Sequence, residues 1–288
     1  MSKPKLILLT VVAILAFAGN SLLCRFALAN TSLDAASFTS IRICSGALML
    51  FLLAFTMKRS WSVGGNWWSA LALFGYAAGF SFAYVKLSAA TGALLMYGAI
   101  QCTMIVWGLL KGERINLLQA MGMLVAVAGL IGLLLPGLSA PPILSAAIML
   151  GAGISWGIYS LRGRGARNAR HETTGNFIRA VPFALLISAL SLKSTELNLA
   201  GVGYAIASGA LTSGLGYVIW YAALPALTAT SAATIQLTVP VLVAVGGLVF
   251  IGEPITLRVA LTSVAILGGV AVFIWSKGIH RVKNAEIK

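Results

Sequence analysis

Residues 197–252 read LNLAGVGYAIASGALTSGLGYVIWYAALPALTATSAATIQLTVPVLVAVGGLVFIG and contain no Asp, Glu, Lys or Arg. A second long uncharged run covers residues 115–161, and shorter ones cover 6–24, 60–85 and 87–110. A helix needs roughly 20 residues to cross a hydrocarbon core of ~30 Å, so each long run holds two crossings and a turn. The sequence therefore predicts a multi-pass membrane protein.

The composition of the whole chain agrees with this class. Of the 288 residues, 59% are hydrophobic and 9% are charged, whereas a soluble domain carries about 25% charged residues. Helices are the expected spanning element because backbone groups in lipid must be hydrogen-bonded within the segment, and the alternating pattern of a membrane barrel is absent. Breakers and charges divide this all-α membrane protein into ten predicted helices near 5–29, 35–57, 67–87, 91–111, 116–135, 142–161, 173–192, 198–223, 227–251 and 256–276.

The basic residues predict the orientation of these helices. With the N-terminus inside, the predicted cytoplasmic segments hold 14 of the 20 Lys and Arg residues, and the predicted outer segments hold four. This bias indicates the cell (inner) membrane, with both termini in the cytoplasm. It also accounts for the net charge of +14, so a lipid bilayer, and no nucleic acid, is the expected partner. A monomer is the simplest expectation, although the sequence does not determine the oligomeric state.

Two halves of the chain repeat each other. Residues 38–42 (FTSIR) correspond to 175–179 (GNFIR), and 112–115 (GERI) correspond to 252–255 (GEPI), with offsets between 137 and 140 throughout. Five helices per half is an odd number, so the second half enters the membrane from the opposite side. Inverted repeats of this kind form many secondary transporters, with a site between the halves near the midplane.

These duplicated motifs resemble the EamA repeat of the drug/metabolite transporter superfamily, and the likeness covers nearly the whole chain. It divides the chain into a first five-helix repeat over 1–137, a second over 138–276 and a basic cytoplasmic tail over 277–288. The resemblance implies a ten-helix exporter with a central cavity. Known members export amino acids, especially aromatic ones, and related metabolites.

Arg42 and Arg179 lie at corresponding positions inside the second helix of each half. An Arg at that depth is costly unless it snorkels or is paired. One interpretation is a guanidinium that faces the cavity and binds a substrate carboxylate through paired hydrogen bonds. The preferred interpretation is structural, with each guanidinium bonded to helix-end or loop carbonyls.

Aromatic and amide side chains supply the other candidates for substrate binding. They recur at helical spacing on single faces of predicted helices, as expected for an apolar pocket with a few polar groups. Packing in the core or at the membrane surface is the alternative for each of them. The candidates are Tyr76, Phe80, Tyr84, Tyr97, Gln101, Trp156, Tyr159, Tyr217 and Gln236.

Acidic and metal-ligating residues do not form a catalytic pattern. Both His residues and every Asp and Glu fall in predicted loops or at helix ends, so neither catalytic residues, a metal site nor a cofactor is expected, and the protein is not expected to be an enzyme. Glu113 and Glu253 lie at corresponding joints between predicted helices. Each carboxylate is expected to interact favourably with the N-terminal dipole of the helix that follows it.

These observations predict a secondary transporter that exports small metabolites, most often amino acids of the aromatic or other neutral kind. Alternating access without obligatory proton coupling is expected, because no predicted mid-span group can titrate near neutral pH. A proton-coupled exporter of drugs or other cationic compounds is the alternative transporter. A membrane scaffold or sensor that transports nothing is the alternative from another class.

Overall fold

The computed structural model describes residues 2–56, 64–112, 115–137, 140–163, 168–192, 196–223, 226–227 and 235–286. Within these residues the regular structure is helical. The helices are α1 (Lys3–Asn30), α2 (Ala35–Thr56), α3 (Trp67–Tyr84), α4 (Ala89–Leu110), α5 (Leu117–Leu134), α6 (Ile143–Gly163), α7 (Ala169–Leu190), α8 (199–223), α9 (Thr238–Ile251) and α10 (Leu257–Glu286).

Eight of these helices are long and apolar enough to cross a membrane, and the other two are α3 and the shorter α9. Their outer faces are strongly apolar: on α5, Leu117, Leu124 and Ile131 repeat every seven residues and are 79%, 65% and 57% exposed. Such a face suits lipid and would be unfavourable in water. The chain is thus an all-helical, multi-pass membrane protein.

Several helices depart from the prediction, either in their boundaries or in their helical geometry. The side chain of Asn168 accepts a hydrogen bond from the backbone N–H of His171, so α7 begins at Ala169, four residues earlier than predicted. Helix α10 continues to Glu286, beyond the predicted end at residue 276. The middle of α8, Ala207–Leu215, is π-helical, with α-helical turns on both sides.

The packing of the helices follows the repeat. Helix α3 packs on α6 as α8 packs on α1, and α4 packs on α6 as α9 packs on α1. The corresponding pairs α2 with α7, α4 with α9 and α5 with α10 pack directly on each other. The main helix pairs of one half therefore recur in the other, which is the arrangement expected of two inverted five-helix repeats.

Glycine permits the tight crossing of α5 and α10. A Cβ atom added to Gly122 would lie 2.6 Å from the carbonyl oxygen of Gly269, and one added to Gly269 would collide with the carbonyl oxygen of Gly122. Small residues allow close backbone approach between membrane helices, where dispersion contacts drive association. Side chains at these two positions would separate the last helices of the two halves.

Candidate functional site

A cavity lies where the two halves meet. It has about 20 Å³ of room for the centres of water molecules, which is space for roughly one or two waters. Both halves contribute side chains to its wall, and these are mainly aromatic with amide and hydroxyl groups among them. The lining residues are Phe17, Asn20, Tyr76, Met96, Tyr97, Trp156, Thr212, Tyr217 and Gln236.

Five of the predicted binding residues therefore line this cavity: Tyr76, Tyr97, Trp156, Tyr217 and Gln236. They come from α3, α4, α6 and α8, and from the short segment before α9. The predicted ninth helix would have placed Gln236 in mid-span. In the structure it lies two residues before the start of α9 at Thr238.

The other four candidates are packed in the protein interior away from the cavity wall. Phe80 is fully buried, with its ring centroid 4.7 Å from that of Tyr84 in an edge-to-face arrangement. The Tyr84 hydroxyl donates to the carbonyl oxygen of Ala89 at 3.3 Å, at the start of α4. Gln101 and Tyr159 are also buried. Phe80 and Tyr159 pack directly behind the wall, against Tyr76 and Trp156 respectively.

Sequence reasoning missed Phe17, Asn20, Met96 and Thr212 as lining residues. A signal for Asn20 existed, because an amide inside a transmembrane helix is costly unless it serves an interior site. Phe17 and Met96 carry no such signal, because apolar side chains are expected throughout these helices. Thr212 faces the cavity from the π-helical part of α8, which the sequence did not predict.

A polar network extends from the cavity wall into the first half. The Tyr76 hydroxyl accepts hydrogen bonds from Asn20 Nδ2 at 3.1 Å and from Arg42 Nη2 at 2.7 Å. The Asn20 side-chain oxygen Oδ1 accepts from the Ser208 hydroxyl at 2.7 Å, which connects α1 to α8. The oxygen and one N–H of the Asn20 side-chain amide are engaged in this way, which defines its orientation and leaves the second N–H of Nδ2 as a further donor.

Arg42 is the most unusual member of this network. It is 2% exposed, and its guanidinium carbon lies 5.0 Å from the Tyr76 ring centroid and 5.1 Å from that of Phe80. Its Nη1 atom is buried without a hydrogen-bond partner in the described part of the chain. Two aromatic faces stabilise the cation, but they do not replace a counter-ion.

Arg179 has different surroundings. It is partly exposed, and its Nη1 donates to the carbonyl oxygen of Gly64 at 2.6 Å and to that of Gly175 at 3.0 Å. These bonds fasten the segment before α3 to α7. The carbonyl partners expected for a structural arginine are thus present at Arg179, whereas the hydrogen-bond partner of Arg42 is a phenol.

Aromatic rings form one side of the cavity. The centroid of Trp156 lies 4.6 Å from that of Tyr76 and 5.1 Å from that of Tyr217. Phe17 meets Tyr217 edge-on at 6.0 Å. Rings at these distances and angles stabilise one another, so the wall is held in place by contacts between helices of both halves.

An ion pair joins the two halves at the end of α1. Arg25 Nε lies 2.6 Å from Glu253 Oε1, and Arg25 Nη1 donates to the carbonyl oxygen of Tyr84 at 2.8 Å. The other carboxylate oxygen of Glu253 accepts from the backbone N–H of Ala89 at 2.6 Å. Glu253 therefore serves the N-terminus of α4, and the prediction that it serves the helix following it is wrong. Glu113 lies outside the described residues.

The described residues hold no group of three or more His, Cys, Asp or Glu side chains that could bind a metal ion. Among these residues, no carboxylate or imidazole lines the central cavity. The donors and acceptors available there are phenol, indole, amide and hydroxyl groups. These groups suit hydrogen bonding to a solute more than acid–base chemistry.

Comparison with known proteins extends over nearly the whole chain. Residues 4–135 and 143–275 each match the model of the EamA-like transporter family. An uncharacterized protein of Pseudomonas aeruginosa is 50% identical over 275 residues, which are 95% of this chain and 96% of that protein.

More distant relatives also match over most of their length. An uncharacterized transporter of Archaeoglobus fulgidus is 27% identical over 78% of this chain and 85% of its own length. The uncharacterized transporter YoaV of Bacillus subtilis is 24% identical over 81% and 85%. A crystal structure with 19% sequence identity superposes with a TM-score of 0.65, covering 94% of this chain and 98% of that one. At that sequence identity the superposition supports the fold and nothing further.

Proposed function

Because the chain belongs to the EamA-like transporter family, we propose that it is a secondary transporter that exports small metabolites, in particular neutral and aromatic amino acids. The central cavity carries this proposal. It lies between the repeats, where transporters built from inverted repeats place their sites. Its wall combines aromatic surface with a few amide and hydroxyl groups, which is the usual composition of a site for a small organic solute. No enzymatic step is proposed.

Transport requires the cavity to open. Its present volume of about 20 Å³ is far smaller than the roughly 300 Å³ or more of a ligand pocket. Rocking of one repeat against the other would open the space to either side of the membrane in turn. The cross-half contacts at the cavity wall and at the Arg25–Glu253 ion pair must rearrange in such a cycle.

A flux screen in proteoliposomes tests the proposal. Labelled neutral amino acids, nucleosides and cationic dyes are supplied separately to vesicles containing the purified protein. Saturable uptake of neutral or aromatic amino acids is expected. Uptake confined to nucleosides or to the dyes would contradict the proposed substrate class, and the absence of any flux would favour a scaffold or sensor.

Cationic substrates are the second transporter hypothesis, and the charge near the cavity disfavours them. Arg42 is bonded to Tyr76, which lines the cavity, and no carboxylate of the described part of the chain lines it. A cation entering this space would therefore meet a like charge and find no anion.

The positions of the acidic residues also bear on whether transport is coupled to protons. The acidic residues Asp34, Glu196 and Glu253 lie between helices, and Glu172 lies in the first turn of α7. None of the described residues that line the cavity is Asp, Glu or His, so we propose facilitated movement down the substrate gradient. Downhill exchange of an amino acid should proceed at the same rate with and without an imposed pH gradient. Uphill accumulation driven by that gradient would contradict this proposal.

The proposed location is the cell (inner) membrane with both termini in the cytoplasm. The excess of basic residues in the predicted cytoplasmic segments supports this orientation. Single cysteines placed at positions 30 and 167 in a cysteine-free background test it. An impermeant thiol reagent added outside should label position 30 and leave position 167 unlabelled, and the reverse pattern would contradict it.

A further inference from the structure

The charge of Arg42 has no anionic partner among the described residues. It donates a hydrogen bond to the Tyr76 phenol and lies against the rings of Tyr76 and Phe80, and the Tyr217 phenol and the Cys24 thiol are within electrostatic reach. Its Nη1 atom has no hydrogen-bond partner in this part of the chain, although the side chain is 2% exposed. Arginine does not lose its proton in proteins. A buried charge is normally paired and hydrogen-bonded, so this position carries an uncompensated positive charge in the membrane interior.

Tyr76 connects Arg42 to the cavity wall through a hydrogen bond. Its hydroxyl oxygen accepts from Arg42 Nη2 and from Asn20 Nδ2, and both of these groups can only donate. The oxygen is thus used twice as an acceptor, and its own O–H remains to donate. No acceptor for that O–H is present among the described residues, and Tyr76 lines the cavity. A hydrogen bond received from a cation strengthens a hydroxyl as a donor.

We propose that the solute carries a carboxylate, which binds against Tyr76 and supplies the missing counter-ion of Arg42. The inference rests on the proposed transport function and names its substrate class as organic monocarboxylates with an apolar or aromatic remainder. The Tyr76 O–H and the Asn20 amide edge hold the carboxylate. Trp156, Tyr217 and Phe17 receive the remainder. Arg42 is a positioning residue that acts through Tyr76.

The described part of the cavity wall holds no acidic side chain to bind an ammonium group. An amino acid would therefore be recognised by its carboxylate, and its amino group would contribute little. Three probes of similar size separate these groups: phenylalanine, 3-phenylpropanoate, which lacks the ammonium, and phenethylamine, which lacks the carboxylate. Uptake of each labelled probe by proteoliposomes is measured at a range of concentrations.

We expect saturable uptake of phenylalanine and 3-phenylpropanoate and little uptake of phenethylamine. Tyr76→Phe keeps the ring and removes the donor, and it should raise the half-saturation concentration for 3-phenylpropanoate by about 10- to 100-fold, the effect of losing one hydrogen bond to a charged group. Arg42→Gln should act in the same direction, and Arg42→Lys should restore part of the loss. Arg179→Gln is the matched control and should leave this concentration unchanged.

A purely structural role of Arg42 and Tyr76 would lower the amount of active protein without changing the half-saturation concentration, and that result would overturn the inference. Preferred uptake of phenethylamine would overturn it as well, while the transport function itself would stand. If none of the three probes enters, the proposed amino-acid function fails and the inference fails with it.

Discussion

Arg42 on α2 and Arg179 on α7 occupy corresponding positions of the two repeats, but their guanidinium groups have different partners. Arg42 is buried against two aromatic rings and bonded to the Tyr76 hydroxyl, while one of its nitrogens is unpaired. Arg179 is partly exposed and bonded to two backbone carbonyl oxygens. The arginine of the first half thus contacts a residue of the cavity wall, and the arginine of the second half binds the backbone of the segment before α3.

The residues around each arginine account for this difference. Arg179 reaches back to the carbonyl of Gly175, four residues earlier, where a Cβ atom would lie 2.7 Å from its Nη1. Phe38 stands at the equivalent position before Arg42 and is fully buried, so the same path is not open in the first half. In addition, the counterpart of Tyr76 is Ser213, which is too short to reach a guanidinium. Duplication preserved the arginine but not its role.

The strongest test of this explanation is to transfer the first-half residue to the second half. Gly175→Phe should displace Arg179 and the backbone near Gly64, because an added Cβ already collides with the Gly64 carbonyl oxygen. We expect a loss of about 3 kcal/mol or more of folding free energy, through overpacking and the lost hydrogen bonds. Thermal unfolding of purified protein in detergent measures it.

The control is Gly151→Ala on α6, where an added Cβ would have no atom within 4 Å. Its melting temperature should equal or slightly exceed that of the wild type, because alanine favours the helix. If Gly175→Phe melted at the same temperature as this control, the absence of a side chain at Gly175 would not be required for the position of Arg179.

The two arginines should also respond in opposite ways to removal of their charge. Arg179→Met removes the donor to the Gly64 carbonyl oxygen and should cost about 1–3 kcal/mol. Arg42→Met removes a buried charge that has no counter-ion and should be neutral or stabilising, as seen when buried charges are replaced by apolar residues. The melting temperatures of the two variants give the comparison. Equal destabilisation by both would show that Arg42 is as structural as Arg179.

A smaller effect is expected at the ion pair that links the halves. Arg25 and Glu253 are 17% and 15% exposed at their side chains, so water screens their attraction only partly. A double-mutant cycle with Arg25→Met and Glu253→Gln should yield a coupling energy of about 1–2 kcal/mol. Additive effects of the two substitutions would mean that the backbone partners of each residue, not the ion pair, hold this end of α1.

The smallest effect is expected at Ser213, the counterpart of Tyr76. Its hydroxyl is buried without a partner in the described part of the chain, so Ser213→Ala should change stability by less than about 0.5 kcal/mol or raise it slightly. Ser208→Ala, which loses the bond to Asn20, should cost about 1 kcal/mol. A larger loss at Ser213 than at Ser208 would reveal a contact that gives the second half a polar role.

Much of the architecture could be read directly from the chain. Uncharged runs of the right length, basic residues between them and motifs repeated at offsets of 137 to 140 are local or periodic features. They determine that the chain is helical, crosses a membrane and consists of two repeats, because lipid imposes the same length and polarity on every span. The aromatic residues Tyr76, Trp156 and Tyr217 could also be proposed as cavity residues, because each belongs to a set of aromatic or polar side chains on one face of its helix.

Tertiary structure alone decided which of these residues share a wall and what each polar group contacts. Neither the π-helical turns of α8 nor the contribution of Thr212 follows from a local pattern. The π-helical segment packs on α2, where a Cβ atom on Gly209 would overlap the Arg42 carbonyl oxygen. Likewise, Glu253 serves α4 and not the helix that follows it.

The two arginines show the physical reason most clearly. Both have the same depth and helix position in the sequence, so any reading by periodicity must assign them one role. Their environments are set by residues that lie far away in the chain, Tyr76 for Arg42 and Gly64 for Arg179. Hydrogen bonds and ring contacts depend on distances of a few ångströms, and these distances exist only after the helices have packed.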